Sequence, residues 1–348
     1  MPTYSADQLR GLACDLLERA GVPREDALVI ADTMVAANLR GVDSHGIAYL
    51  GVYLRRIRTG ATNSRARLKV TREGPAYAMI DGDNGFGAVT AVFAMRRAIE
   101  RSRDSGVYLS LCYNNTTFGA AFYYSLMAAR AGKIGFSMCN APPSMAPWGG
   151  KKPLIGTNPI SVSFPGGKHG EIVLDMATSA AAKSKIYLAK EKGTSIPEGW
   201  ALDKEGRPTT DPEKALAGGL LMPLGGPKGY GLALTVDLLC GALSGAGACD
   251  RVQSLHHALD RGQNVSFLVG AIDPECFGGL SALVGEAERV GDLVHSCPPA
   301  DGYAAVMLPG EPEASTERKR LVEGIPVPEP VIEEIKAEAR HFNAEVRL

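Results

Sequence analysis

The run Tyr77-Ala78-Met79-Ile80-Asp81-Gly82-Asp83-Asn84-Gly85-Phe86-Gly87 decides the fold class. Tyr77–Asp81 reads as a strand, and Val89–Arg103 beyond it carries the apolar spacing of a helix. A strand, a glycine-rich turn and a helix form the setting in which a Rossmann sheet places G-x-G-x-x-G. Here the glycines stand in the order G-x-x-G-x-G. The chain therefore reads as α/β, without the G-x-G-x-x-G fingerprint.

Working outward, strand-like runs recur at Val107–Cys112, Ile134–Cys139, Ile160–Phe164, Glu171–Asp175, Val265–Ile272 and Tyr303–Leu308. Helical stretches fall between several of them, at Ala120–Ala131, Ala180–Lys192 and Gly229–Leu243. The N-terminal part is helical throughout. Ser5 and Gln8 form a capping box, and Leu9, Leu12, Ala13, Leu16 and Leu17 share one face. A second helix starts at Arg24-Glu25-Asp26 and ends near Gly41. A third, carrying Leu50, Tyr53, Leu54 and Ile57, stops at Gly60. Pro328 to Phe342 reads as one more helix. The expected organisation is a helical unit, 1–75 with about 320–348, joined to an α/β sheet unit, 76–319.

Length and charge narrow the function. The 348 residues carry 37 Lys plus Arg against 38 Asp plus Glu, a formal net charge of −1. That balance gives no footprint for a nucleic-acid partner. Gly accounts for 41 residues without any G-X-Y period. The excess points to tight turns and close backbone approaches. MPTYSADQLR lacks a basic start with an apolar stretch behind it, and Gly231–Ala248 is broken by Asp237. Seven scattered cysteines without a CxxC read as buried reduced thiols. The expectation is a cytoplasmic protein without a membrane segment.

Three segments could carry chemistry. Gly225-Gly226-Pro227-Lys228-Gly229-Tyr230-Gly231 precedes a helix. Backbone N–H groups at its start, with a lysine, suit an anion as well as a solvated turn. Asp43-Ser44-His45-Gly46 lies between two helices. His45 can exchange protons near neutral pH, and Ser44 can hold its ring. On spacing alone the segment reads better as a helix cap, with Asp43 or Ser44 as N-cap and an incidental histidine. His256-His257 reads as a surface pair, because adjacent side chains do not converge on one ion. No metal is expected, since H-E-x-x-H and paired CxxC are absent. A G-x-S-x-G elbow is absent too.

Taken in order, a larger set of motifs resembles the type-2 malate/L-lactate dehydrogenase family. It comprises Asp43-Ser44-His45-Gly46-Ile47, Pro147-Trp148-Gly149-Gly150, Ile155-Gly156-Thr157-Asn158-Pro159 and Leu174-Asp175-Met176-Ala177-Thr178-Ser179. It continues with Ile196-Pro197-Glu198-Gly199-Trp200, Pro223-Leu224-Gly225-Gly226, Lys228-Gly229-Tyr230-Gly231 and Pro309-Gly310-Glu311. The family includes ureidoglycolate dehydrogenase, sulfolactate dehydrogenase, diketogulonate reductase and piperideine-2-carboxylate reductase. The resemblance implies NAD(P)H bound on a non-Rossmann sheet, a small-molecule substrate and a homodimer. It makes His45 the proton donor with Ser44 in support, and Thr157 a substrate contact. It places Asp175, Met176, Ala177, Lys228, Gly229, Pro309, Gly310 and Glu311 along the dinucleotide.

Two departures concern the substrate end. Many members carry an Arg four residues after the signature His, where it clamps a carboxylate; here that residue is Tyr49. The loop after Val107–Cys112 typically reads Ser-Asn-His-Phe-Gly, and Thr117 replaces that His. Ser184 stands where Gly is usual. If a helix begins near Ser44, Tyr49 shares a face with His45. The expectation is an oxidoreductase acting on a carbonyl or imine of 2-oxo, 2-hydroxy or cyclic imino acids through an atypical pocket. The alternative is a catalytically impaired paralogue that binds cofactor and serves a binding or regulatory role.

Overall fold

A computed structural model describes residues 1–346. Its helices are α1 (Ala6–Arg19), α2 (Arg24–Leu39), α3 (Tyr49–Arg58), α4 (Gly87–Ser105), α5 (Phe122–Arg130), α6 (Lys183–Glu191), α7 (Pro212–Leu216), α8 (Pro227–Asp237), α9 (Leu280–Ser296), α10 (Glu311–Glu323) and α11 (Glu329–Ala339). The strands are β1 (Thr3–Tyr4), β2 (Lys69–Gly74), β3 (Tyr77–Gly85), β4 (Val107–Asn115), β5 (Ile134–Cys139), β6 (Ile160–Phe164), β7 (Ile172–Met176), β8 (Ala201–Leu202), β9 (Pro208–Thr209), β10 (Leu220–Leu221), β11 (Val265–Ile272) and β12 (Ile325–Pro326).

Seven strands form one mixed sheet in the order β2-β3-β4-β11-β5-β6-β7. Only β3 and β4 run parallel, joined through α4; the other neighbours are antiparallel. The sheet is thus α/β without the Rossmann strand order, as the family resemblance implies. β11 arrives late in the chain and takes the centre. Its sequence VSFLVGAI is apolar almost throughout, and all but its last residue are buried. Phe267, Val269 and Ala271 face the α4–α5 side with Met95 and Tyr124. Leu268 faces the other side, with Val236 and Cys240 from α8 and its π-helical continuation Leu238–Ala242.

A second core unites α1, α2 and α3 with the C-terminal helix. Leu9, Ile30, Leu50, Ile332 and Ile335 are buried together, and β1 pairs with β12. Here α11 packs on α3. A smaller core holds β8, β9 and β10 against α6 and α7 through Ile186, Ala201, Ala215 and Leu221.

The structure corrects several local expectations. Tyr303–Leu308 is not a strand but irregular chain. Its neighbour Pro309 gives one carbonyl to Val173 N–H at 2.9 Å, and no further ladder forms. Helices α9 and α10 and strand β2 are additions to the sequence reading. All seven cysteines are free, but Cys276 and Cys297 are exposed and Cys249 is half-buried rather than buried. No helix among the described residues is long and apolar enough to cross a membrane. No cluster of metal-ligating side chains occurs among them either. The last two positions of the expected 320–348 segment lie outside the described residues.

Candidate active site

A cavity of ≈ 670 Å³ opens where α2, the turn after it, β7 and the Met307–Gly310 loop meet. That size falls in the range of small-molecule and cofactor pockets.

The turn carrying His45 is built from both sides. Asp43–His45 forms one 3-10 turn, and α3 begins only at Tyr49, so the expected helix entry near Ser44 is displaced. The cause is Asn38, a buried residue at the end of α2. Its Nδ2 donates to Asp43 Oδ1 at 2.7 Å, and its Oδ1 accepts from Ile47 N–H at 2.7 Å. A Cβ on Gly46 would stand 2.2 Å from Asn38 Oδ1, so only glycine fits there. Arg320 on α10 closes the arrangement, with both Nη atoms on Asp43 at 2.7 and 3.0 Å.

This frame presents His45 to the cavity. Ser44 Oγ lies 3.0 Å from His45 Nδ1. With Nδ1–H donating to Ser44 Oγ, Nε2 is left as the ring's free acceptor. The ring is half-buried and meets Tyr49 edge-on, centroids 5.4 Å apart. Desolvation pushes the imidazole down to about 4, so it is neutral at pH 7. Tyr49 also lines the cavity, and burial pushes its phenol up to about 12. It therefore offers a neutral hydroxyl and no charge.

The remaining walls gather residues far apart in sequence. Thr117, Thr157, Asp175, Met176, Ala177, Pro309 and Gly310 all line the cavity. Thr117 N–H donates to Gln263 Oε1 at 2.9 Å. The Thr157 carbonyl accepts both the N–H and the hydroxyl of Thr178, each at 2.9 Å. Asp175 exposes its carboxyl to the cavity. The surrounding protein pushes that carboxyl up, to about 7, with Glu313 adding repulsion and Arg40 opposing it; water in the open cavity works against the rise. Gly310 has φ of +90°, and a Cβ there would lie 2.8 Å from Val173 Cβ.

Lys228, Gly229 and Glu311 do not line the cavity. Lys228 is exposed in the first turn of α8, and Gly229 packs against the backbone of Leu224. Glu311 works from behind: it accepts Leu308 N–H at 2.8 Å and pairs with His295 at 2.7 Å, bracing the loop.

Arg40 and Asn140, two wall residues, escape sequence reasoning. Arg40 is only 6% exposed. Its Nη1 meets Glu317 at 2.9 Å, its Nη2 reaches the Gly310 carbonyl at 3.3 Å, and its guanidinium lies 5.0 Å from the Phe122 ring centroid. Its Nε is buried without a partner among the described residues. Position 40 sits within the run that leads to His45, which is the one signal that could have marked it. Asn140 is spent on backbone, holding Gly247 O at 2.8 Å and Ser266 N–H at 2.9 Å. A guanidinium on the wall together with the acceptor carboxyls of Asp175 and Glu313 fits an anionic, ribose-bearing ligand.

Known proteins share this build. The family profile described as malate/L-lactate dehydrogenase matches residues 4–336. Malate dehydrogenase of Pyrococcus horikoshii is 39% identical, covering 97% of this chain and 95% of its own. L-sulfolactate dehydrogenase of Methanocaldococcus jannaschii is 41% identical, with 89% and 88% covered. Ureidoglycolate dehydrogenase (NAD(+)) of Escherichia coli is 35% identical, with 96% and 95% covered. Among solved structures, the sulfolactate dehydrogenase of M. jannaschii superimposes with a TM-score of 0.94 at 37% identity, over 99% and 98% of the two chains. Δ1-Piperideine-2-carboxylate reductase of Pseudomonas syringae does so at 0.86 and 28%, over 97% and 100%. A turn built to hold a serine–histidine pair, a mixed sheet outside the Rossmann class and matches along nearly the whole length converge on one conclusion: the chain belongs to the malate/L-lactate dehydrogenase family.

Proposed function

We propose that the cavity carries the reversible reduction of a carbonyl or imine carbon in 2-oxo acids or cyclic imino acids, with NAD(P)H as cofactor. The observation that carries this reading is the Ser44–His45 pair, 3.0 Å apart, on the wall of the same cavity as Asp175–Ala177 and Pro309–Gly310. The nicotinamide, when bound, supplies the hydride. His45 Nε2 exchanges the proton with the substrate oxygen or nitrogen, and Ser44 sets the tautomer that allows it. Asp175, Met176, Ala177 and the Pro309–Gly310 loop hold the dinucleotide, and Lys228 with Gly229 and Glu311 belong to the same set by family likeness. Tyr49, Thr117 and Thr157 face the substrate. Tyr49 and Thr117 supply hydroxyls where many relatives carry ionisable groups, so small carboxylates are held less firmly.

In this reading the helical unit, 1–75 with about 320–348, brings the acid/base and the sheet unit, 76–319, brings the cofactor wall. A homodimer is supported by the leucines that α8 and its continuation leave exposed, Leu232, Leu238 and Leu243.

His45→Asn tests the assignment. Turnover falls by roughly 10²–10⁴, the usual weight of acid–base catalysis, while NAD(P)H affinity measured by fluorescence titration stays near wild type. Undiminished turnover removes His45 from the chemistry. Cofactor binding without turnover by the unaltered protein, across a panel of 2-oxo and cyclic imino acids, favours the impaired paralogue instead.

A further inference from the structure

One loop touches both positions at which the substrate end departs from the family pattern. The segment 253–263 leaves and rejoins the body through a single neck, Gln253 N–H to Gln263 O at 2.8 Å. Inside it, Arg56 of α3 is fully buried, and none of its bonds goes to a carboxylate. Its donors go to carbonyls instead: Leu255 at 3.2 Å, Ala258 at 2.7 Å, Arg261 at 3.1 Å and Ala61 at 3.1 Å. Nε takes Thr62 Oγ1 at 3.2 Å. A guanidinium whose five N–H donors all meet acceptors fixes the loop's path as firmly as a strand would.

The fixed loop does two things. Gln263 accepts the N–H of Thr117, and Leu255, buried in the helical core, turns the next side chain outward. That side chain is His256, whose ring lies edge-on to Tyr49 with centroids 6.3 Å apart. His45, Tyr49 and His256 therefore form a row of three rings. The expected surface pair is half right: both histidines are exposed, but His256 stands against the substrate-end tyrosine.

We propose that His256 recognises the substrate's carboxylate, donating a ring N–H to it beside the Tyr49 hydroxyl and supplying, once protonated, the cation that position 49 lacks. The proposal rests on the oxidoreductase reading above. The groups facing His256 make its charge conditional. Burial lowers its pKa first, then His257, with Arg55 and Arg56 acting the same way, while Glu334 on α11 raises it. Tyr49 and His45 beside it are neutral. The free ring thus carries little charge at neutral pH, and a bound carboxylate draws a proton onto it. Carboxylate affinity falls as pH rises, which a guanidinium would not allow.

Oxamate, a non-reducible mimic of a 2-oxo acid, tests this by calorimetry on the full chain saturated with NADH. Its dissociation constant rises about tenfold or more between roughly pH 6 and pH 8. His256→Gln removes that slope and binds at both pH values as weakly as the unaltered protein does at the higher one. His256→Lys removes the slope too but keeps the tight binding, a rescue that a merely structural histidine would not give. His45→Asn keeps the slope. A slope that survives in His256→Gln, one that vanishes only in His45→Asn, or no oxamate binding at either pH overturns the proposal. Failure of the oxidoreductase reading appears separately, as no NADH oxidation with any 2-oxo or imino acid.

Discussion

At the scale of single residues, the neutral state of His45 sets the direction in which it works without help. A ring pushed down to about 4 is an acceptor at pH 7, suited to taking the proton from a hydroxy acid. For a lowered pKa the unprotonated form persists until the pH falls through that value. Oxidation of a hydroxy substrate should therefore hold its kcat/KM from neutrality down to about pH 5 and decline only below it. A descending limb centred near the ordinary imidazole value of ~6.5 would refute the desolvated ring. Tyr49 gives the second residue-scale expectation. A phenol is one neutral donor, whereas a guanidinium is a charged fork, so Tyr49→Arg should tighten pyruvate or oxaloacetate by more than about 1 kcal/mol. The readout is KM at fixed NADH. An unchanged KM, or efficient use of these acids by the unaltered protein, removes Tyr49 from carboxylate choice.

At the scale of elements, α10 ties the site together. It starts at Gly310 on the cavity wall, pairs Glu317 with Arg40, and sends Arg320 to Asp43 below His45. None of this is legible in sequence. Ion pairs between residues hundreds of positions apart leave no periodicity, and Glu311–Glu323 has no buried residue to mark a face. For the same reason α9 goes unread: only Gly291 on it is buried. β2 is an edge strand, Lys-Val-Thr-Arg-Glu-Gly, whose charged residues suit an edge and hide the alternation. Most of the strands that do read, β3 to β6 and β11, bury one face or both, and β7 also reads through Ile172-Val173-Leu174. The motif Asp43–Gly46 was legible as a motif, but not its cause, the amide of Asn38. Lys228 remains the element-scale question, since α8 carries it off the cavity. If it meets the cofactor's phosphates, Lys228→Ala weakens NADH or NADPH by about 1–3 kcal/mol. Unchanged dissociation constants for both assign it to solvent.

At the scale of the whole molecule, α8 and its continuation leave large apolar side chains exposed. Leu238 is 52% exposed and Leu243 65%, close to Leu232 on the same helical rod. Exposed leucines of this kind suit an interface between chains. Light scattering in dilute solution should give twice the mass of one chain, and Leu238→Glu with Leu243→Glu should lower it to one. A monomer before any substitution rules the dimer out. The helical and sheet halves of the chain were legible as separate textures. Pro328 to Phe342 was legible as a helix, but its partner, α3, was not.

The central place of β11 has a consequence for how the protein is made. On a ribosome the strands up to β7 emerge first, so β4 and β5 each wait with a bare edge until residue 272 has left the exit tunnel. Synthesis at about 5–20 residues per second leaves those edges open for several seconds. Nascent chains arrested before Val265 should therefore bind holdase chaperones and resist compaction, and chains released after it should close at once around the last strand.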